Sequence, residues 1–328
     1  MDTRRLGRSG IEVSPLGMGC WAIGGPFRYL DIEAGWGEAD DAESLRAIHH
    51  ALASGITFFD TAAAYGTGHS ETILGRALTG RRDEAVIATK FGFLIDPAGR
   101  HVGRYPDRAQ IVANARAECE GSLRRLDTDV IDLFQLHDGE MPVALVPDLL
   151  AVLEDLVAAG KIRSYGWSTD SVASARAFAA GPHCAAIQHD LNVVLDAPEM
   201  LALCASLDLA SVNRTPLARG ALTGKYTRDT VFAANDVRTD PWARDHILRP
   251  AFDRLEPLRG LLTSGGRTLA QGALAWIWAR SGVAVPIPGM RTVRQVEENA
   301  AAMTLGPLSN ETLRQIDALL GRPVEAAP

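Results

Sequence analysis

Cysteine is scarce and poorly spaced for joint work: Cys20, Cys119, Cys184 and Cys204 form no C-x-x-C pair and no paired framework. A disulfide scaffold and a metal site are thereby set aside, and reduced thiols in a cytoplasmic protein are expected. The adjacent pair His49-His50 falls on a predicted helix, where neighbouring residues face different directions, so it makes no chelate. Long apolar runs are also missing. None approaches the roughly 18 residues of a membrane span, and the start Met-Asp-Thr-Arg-Arg lacks the apolar core of a signal peptide. Neither a membrane protein nor a secreted one is expected. Positive charge is in deficit, with a formal net charge of -7 and a pI near 5.6, which argues against a nucleic-acid surface and a polybasic anchor.

Two glycine patterns fall short of the phosphate motifs they approach. Gly17-Met-Gly-Cys-Trp-Ala22 fits the letter of a dinucleotide fingerprint, but Gly24-Gly-Pro-Phe27 follows where that motif needs a helix. Gly66-Thr-Gly68-His-Ser-Glu71 has no Gly-Lys-Ser ending, so its glycines serve a tight turn before the next helix. No Pro/Ser-rich linker divides the chain.

What is present is a beat. The 328 residues are 47% hydrophobic and 22% charged, enough for two modest domains or one large α/β barrel. After a short hairpin over residues 4–13, suited to plugging a barrel floor, apolar strands alternate with helical segments. The strands are predicted at 13–19, 56–60, 85–90, 130–137, 162–168, 185–188, 209–215 and 283–287. Helical patterns follow at 41–54, 69–78, 107–126, 142–159, 171–180, 197–207, 243–264 with 268–280, and 293–302, with an appended helix at 310–320. Eight such units predict a single (β/α)₈ TIM barrel over residues 1–328, not an open doubly wound sheet. Three connections, 22–40, 91–106 and 216–242, are too long for turns and leave strand C-terminal ends, the face where barrel enzymes work. Trp21, Phe27, Tyr29, Trp36, Phe91 and Trp242 lie on or beside them as candidate pocket walls.

Strand ends carry the chemistry. The second predicted strand runs into Asp60 with Tyr65 just beyond, the third ends in Lys90 and the fourth in His137. Each alone has a plain reading: a turn cap, a packed phenol, a surface lysine, a core histidine. Consecutive barrel strands are neighbours, so the four converge on one mouth. A phenol titrates near 10 unperturbed and needs help to work at neutral pH. A close Lys90 ammonium supplies that help, Asp60 keeps it charged and aimed, and His137 is placed to orient a carbonyl oxygen.

With these residues together, the sequence resembles the aldo-keto reductases, over essentially the whole chain. The likeness is carried by Leu6-Gly-Arg-Ser-Gly-Ile-Glu-Val-Ser-Pro-Leu-Gly-Met-Gly19, Phe59-Asp-Thr-Ala-Ala-Ala-Tyr-Gly-Thr-Gly-His-Ser-Glu71, Ala88-Thr-Lys90, Asp132-Leu-Phe-Gln-Leu-His137 and Gly166-Trp-Ser168. It continues through Gln188 with Asn192, Pro216-Leu-Ala-Arg-Gly-Ala-Leu-Thr-Gly-Lys225 and Ile287-Pro-Gly-Met-Arg291. The resemblance implies a reductase using NADPH/NADP⁺ without a Rossmann domain, with Tyr65 as general acid/base beside Asp60, Lys90 and His137. It also implies a cofactor site drawn from Gly19, Trp21, Asp60, Ser168, Gln188, Asn192, Arg214, Pro216, Leu217, Gly220, Lys225, Gly289, Arg291, Gln295, Glu298 and Asn299. Side-chain amides and hydroxyls at Ser168, Gln188 and Asn192 suit a nicotinamide carboxamide. The turn 288–292 opens a helix whose free N–H groups favour phosphate, with Arg291 for the 2′-phosphate and Gln295, Glu298 and Asn299 on the adenine side.

The sequence departs from the family where many relatives stack an aromatic ring on the nicotinamide: Arg214 stands there. A guanidinium can stack too, but as a cation it is expected to disfavour NADP⁺ relative to NADPH. Asp138 and Glu140 beyond His137 hint at a hydroxylated, sugar-like carbonyl. Competing readings are a Schiff-base lyase using Lys90 and a cofactor-sensing regulatory subunit of the same fold. The expected partner is a small-molecule carbonyl or alcohol, and both monomer and homo-oligomer are compatible with the sequence.

Overall fold

A computed structural model describes residues 3–323. Eight parallel strands form one sheet in chain order: Gly17–Gly19, Phe58–Asp60, Val86–Phe91, Ile131–Leu136, Ile162–Ser168, Cys184–Asp190, Ala210–Arg214 and Ala284–Pro286. The first and last meet through a parallel bridge between Gly19 and Gly289, where Gly19 N–H donates to Pro288 O at 2.9 Å, so the sheet closes on itself. Helices surround it, as in a (β/α)₈ barrel. Such strands are covered on both faces, and the fourth is buried at every residue from Ile131 to Leu136.

Inside the barrel, Phe58, Ala88, Leu133, Ala186, Val212 and Val285 pack with Leu6, Ile11 and Val13 of the N-terminal hairpin. That hairpin pairs Arg4–Arg5 with Glu12–Val13 and seals the barrel floor from below. Gly7 sits at its tip with φ +48, where a Cβ would come within 2.5 Å of the Ala185 and Asp208 carbonyl oxygens; only glycine docks there. The first barrel strand begins at Gly17, later than expected, because Val13 is spent pairing with Arg4 and Pro15 has no N–H for a ladder.

The long connections are not formless. Arg28–Tyr29 and Ile32–Glu33 from the first join Leu94–Asp96 and His101–Gly103 from the second in a four-stranded sheet above the barrel mouth. Trp36 bridges to Asp236, so the seventh-strand connection reaches the first. The stretch expected as one helix over 243–264 is a series of three segments: Pro241–Ala243, a π-turn at Arg244–Leu248, then Arg249–Leu262. Pro250 lacks the N–H that a regular turn needs, which accounts for the change of hydrogen-bond pattern. Among the described residues no helix is long and apolar enough to cross a membrane.

Candidate active site

Ladder register carries the polar side chains to the mouth. Gly19 pairs with Asp60, Asp60 with Ala88 and Lys90 with Gln135, so Asp60, Lys90 and Gln135 end neighbouring strands at similar height. After Asp60 the chain turns through residues 61–64 into a 3₁₀ segment, Tyr65–Gly68. Gly66 has φ +59, and a Cβ on it would fall 1.9 Å from Gly24 O. The bare glycine lets the first connection press against Tyr65 and fix the ring.

Lys90 is buried, and its Nζ has three partners: Asp60 Oδ1 at 2.5 Å, Thr61 O at 2.9 Å and the Tyr65 hydroxyl at 3.1 Å. The other oxygen of Asp60 accepts from Gln188 Nε2 at 2.8 Å and Gln135 Nε2 at 3.0 Å. Burial pulls the Lys90 pKa down, but Asp60 and Tyr65 outweigh it, so the ammonium is held above the ordinary lysine value. Burial raises the Tyr65 phenol, and Lys90 opposes that without overcoming it. The expected lowering of the phenol by Lys90 is thus present but loses to desolvation. Tyr65 remains a protonated phenol beside a permanent cation.

His137 meets Tyr65 edge to face, with ring centroids 5.7 Å apart. Burial, then Lys90 and Arg214, push its pKa well below the ordinary histidine value, so the imidazole is neutral. Its Nδ1 is buried without a hydrogen-bond partner. Trp21 stacks on Tyr65 at 5.8 Å and Phe93 lies 5.0 Å from His137, giving the site aromatic walls.

These groups open on a continuous groove of about 860 Å³. Along it run Gly19, Trp21, Asp60, Ser168, Gln188, Arg214, Pro216, Leu217, Gly220, Lys225, Gly289, Arg291, Gln295, Glu298 and Asn299, together with Tyr65 and His137. Asn192 does not join them. Its amide donates to Thr215 O and accepts from Val194 N and Leu195 N, holding a turn behind the wall. Gln188 reaches the groove, but its Nε2 is committed to Asp60 and Gln135. The helix Val293–Leu305 also offers fewer open donors than expected: Val293 N–H donates to Glu43 Oε1 at 3.0 Å, and Gln295 N–H to its cap Thr292. Arg291 ties the groove's far end to the first connection through Trp36 O at 2.9 Å.

Arg214 is not a lone cation. It pairs with Asp170 and lies 3.2 Å from Asp190, whose carboxyl accepts from Thr215 Oγ1 at 2.7 Å. Arg219 acts on the same Asp190, so Arg214 belongs to a mixed cluster of two guanidiniums and two carboxylates in place of the bare cation that the sequence suggested. Phe91 faces away from the mouth, stacked on Phe134 at 4.3 Å in the outer core; Phe93 takes the wall position. Asp138 and Glu140 are paired with Arg108 and Arg104, at 2.7 and 2.5 Å, which removes them as free acids for a sugar.

Sequence reasoning missed Gln135 and Arg219. Gln135 had a signal, being a polar residue near the C-terminal end of a strand whose other residues, Asp132 apart, are apolar. Arg219 had none, since its exposure depends on a left-handed backbone run at Ala218, Arg219 and Gly220 with φ of 46, 53 and 93. Its guanidinium lies 5.5 Å over the Trp21 ring, with Nε buried and unpartnered.

Known proteins agree with this architecture. Residues 15–320 match the Aldo/keto reductase family. Aldo-keto reductase YhdN of Bacillus subtilis is 33% identical over 326 residues, covering 98% of this chain and 94% of that protein. Among solved structures, the glycerol dehydrogenase AKR11B4 from Gluconobacter oxydans superposes with a TM-score of 0.80 at 30% identity, covering 100% of this chain and 98% of that one. An aldo-keto reductase from Klebsiella pneumoniae in complex with NADPH gives 0.72 at 25% identity, over 99% and 98%. This chain belongs to the aldo/keto reductase family.

Proposed function

We propose that residues 1–328 form one barrel domain that reduces an aldehyde or ketone with NADPH, in the cytoplasm, and that Tyr65 is the general acid/base. The observation that carries the reading is the Lys90 ammonium bridging Asp60 and the Tyr65 hydroxyl at the groove. The groove's own residues suit a dinucleotide. Among the described residues Arg219 has no salt bridge; it lines the groove half-buried, with Nη1 donating to Val237 O at 3.5 Å and Nε unpartnered, and Arg291 and Lys225, the latter 3.7 Å from Glu298, add positive charge farther along. A half-buried guanidinium with an unpartnered N–H on a groove wall can receive an anion there, and a dinucleotide's phosphates are such anions. The Klebsiella neighbour is in complex with NADPH; NADPH is proposed here too, with Arg291 toward the 2′-phosphate.

The nicotinamide, when bound, supplies the hydride. The protein's part is to place the carbonyl and deliver the proton. Neutral His137 donates to the carbonyl oxygen, and with Nδ1 unpartnered its tautomer is free to put a proton on Nε2. As the carbonyl carbon gains hydride, its oxygen becomes an alkoxide and takes the phenolic proton of Tyr65. The phenolate left behind accepts from Lys90, which Asp60 holds in place, its own carboxylate fixed by Gln135 and Gln188. Trp21, Tyr29 and Phe93 favour a carbonyl with an apolar or aromatic flank over a sugar. In reverse, Tyr65 takes the proton of an alcohol.

A Schiff-base role for Lys90 is disfavoured, because a buried ammonium kept protonated by Asp60 is a poor nucleophile. The test is NADPH absorbance across a carbonyl panel. Loss of absorbance on adding aromatic aldehydes supports the proposal; cofactor binding without turnover on any carbonyl supports the regulatory-subunit reading instead.

A further inference from the structure

The helix Ala109–Leu126 lies behind the third barrel strand, away from the groove, yet its Glu118 reaches the substrate side through the chain. Glu118 Oε2 accepts from Gly92 N–H at 2.9 Å, and Oε1 accepts from the Tyr105 hydroxyl at 3.1 Å. Gly92 and Tyr105 are the two roots of the third-strand connection. Between them hangs the hairpin Leu94–Asp96 with His101–Gly103, which brings Phe93, Val102 and Arg104 to the groove wall. Phe93 lies against His137, and Arg104 donates to the Tyr29 hydroxyl at 2.5 Å, so this connection shapes the space around the carbonyl. At the first root Gly92 has φ +108, and a Cβ there would press on Leu136 Cδ1 at 3.0 Å. The root is therefore a built turn.

We propose that Glu118 is a positioning residue, a single carboxyl group that fastens both roots of the 92–105 connection and so sets how well the carbonyl pocket is formed. The inference rests on the reductase reading only where it speaks of substrate. The clasp is also titratable. Burial pushes the Glu118 carboxyl up to about 7, against the pull of Gly92 N–H, the Tyr105 hydroxyl and Arg125. Glu71, from the helix His69–Ala77, adds to the rise, and Arg125 is itself held by Glu71 at 2.6 Å. An acid whose pKa is higher when closed than when open favours closure in its protonated form. Closure is thus strongest below the open-state value of about 4.3 and weakens roughly tenfold per pH unit until pH passes 7. A protonated carboxyl still serves both roots, accepting from Gly92 and donating to the Tyr105 oxygen.

Hydrogen exchange of residues 92–105 in the full-length protein tests this without turnover, comparing wild type with Glu118→Gln and Glu118→Ala at pH 5 and pH 8. Glutamine keeps both contacts but cannot titrate. At pH 5 wild type and Glu118→Gln should exchange alike; at pH 8 wild type should exchange about tenfold or more faster than Glu118→Gln. Glu118→Ala should be fast at both. Equal exchange of wild type and Glu118→Gln at both pH values would overturn the pH dependence, and an Ala variant that stays as protected as wild type would overturn the clasp itself. If Glu118→Ala does not fold, Tyr105→Phe, which removes the contact at the second root, takes its place, and unchanged protection of residues 92–105 in it would overturn the clasp. With a turned-over carbonyl, the wild-type KM should rise from pH 5.5 to 8 relative to Glu118→Gln, with kcat matched within about twofold. A change in kcat at constant KM would count against positioning. Absence of any turnover would refute the reductase reading while leaving the exchange result to judge the clasp.

Discussion

The Lys90 ammonium donates to the Tyr65 hydroxyl at 3.1 Å while remaining 2.5 Å from Asp60, with almost no solvent around Lys90 and Asp60. Two effects compete at the phenol. Burial raises its pKa, and the neighbouring cation lowers it. Burial wins, which leaves Tyr65 protonated and ready to give up its proton, while Lys90 limits the cost of the phenolate that results. A general acid needs both properties.

Lys90→Met should therefore lower kcat by about 10²–10³, as loss of a charge-stabilising donor does, while NADPH affinity changes little. It should also destabilise the fold by about 3–5 kcal/mol, because Asp60 becomes a buried charge without a cation. Adding Asp60→Asn should restore stability without restoring turnover. Urea unfolding of the three proteins checks the point; a double variant no more stable than Lys90→Met contradicts it.

His137 has a lowered pKa, and burial lowers His189 to about 4, where it contacts Ser211 Oγ at 2.7 Å. For such a base the unfolded chain binds more protons as pH falls below about 6.5. The stability contributed by the neutral ring is present above that pH and lost below it. His137→Gln should thus show a shallower loss of stability than wild type between pH 6.5 and 4.5. Denaturation midpoints measured in parallel isolate this effect from Glu118, whose raised carboxyl pulls the other way. Parallel curves for the two proteins would remove His137 from the account.

Arg219 should have different effects on apo and bound protein. Arg219→Met removes a half-buried guanidinium whose Nε has no partner and whose Nη1 makes one long bond to Val237 O, so the ligand-free protein should be about as stable as wild type. NADPH should bind about 10- to 100-fold more weakly, the range for a lost charged hydrogen bond. Thermal shifts with and without NADPH measure both. An unchanged shift on adding NADPH would take Arg219 out of the phosphate site.

Much of this was legible in the chain. The alternation of strand and helix predicted the barrel, and Asp60, Tyr65, Lys90 and His137 meet because neighbouring strands end at one height. The hairpin plug was readable because its apolar residues had no other core to join. Other features depend on distant partners. Glu43 caps the helix at Val293 from 250 residues away, and Asp170 and Asp190 reach Arg214 from the ends of other strands. No local pattern announces such pairings. Asn192 shows the reverse relation: its position beyond a strand end suited a ligand, while in the structure its amide bonds the backbone of its own turn and Thr215 O.

The central claim is that Tyr65 gives its proton to the carbonyl oxygen. Its most direct test is steady-state reduction of one aldehyde by wild type and Tyr65→Phe, with NADPH affinity measured on both. Removing only the hydroxyl should cut kcat by about 10²–10⁴ and leave NADPH affinity within about threefold. Retained turnover in Tyr65→Phe would contradict the account.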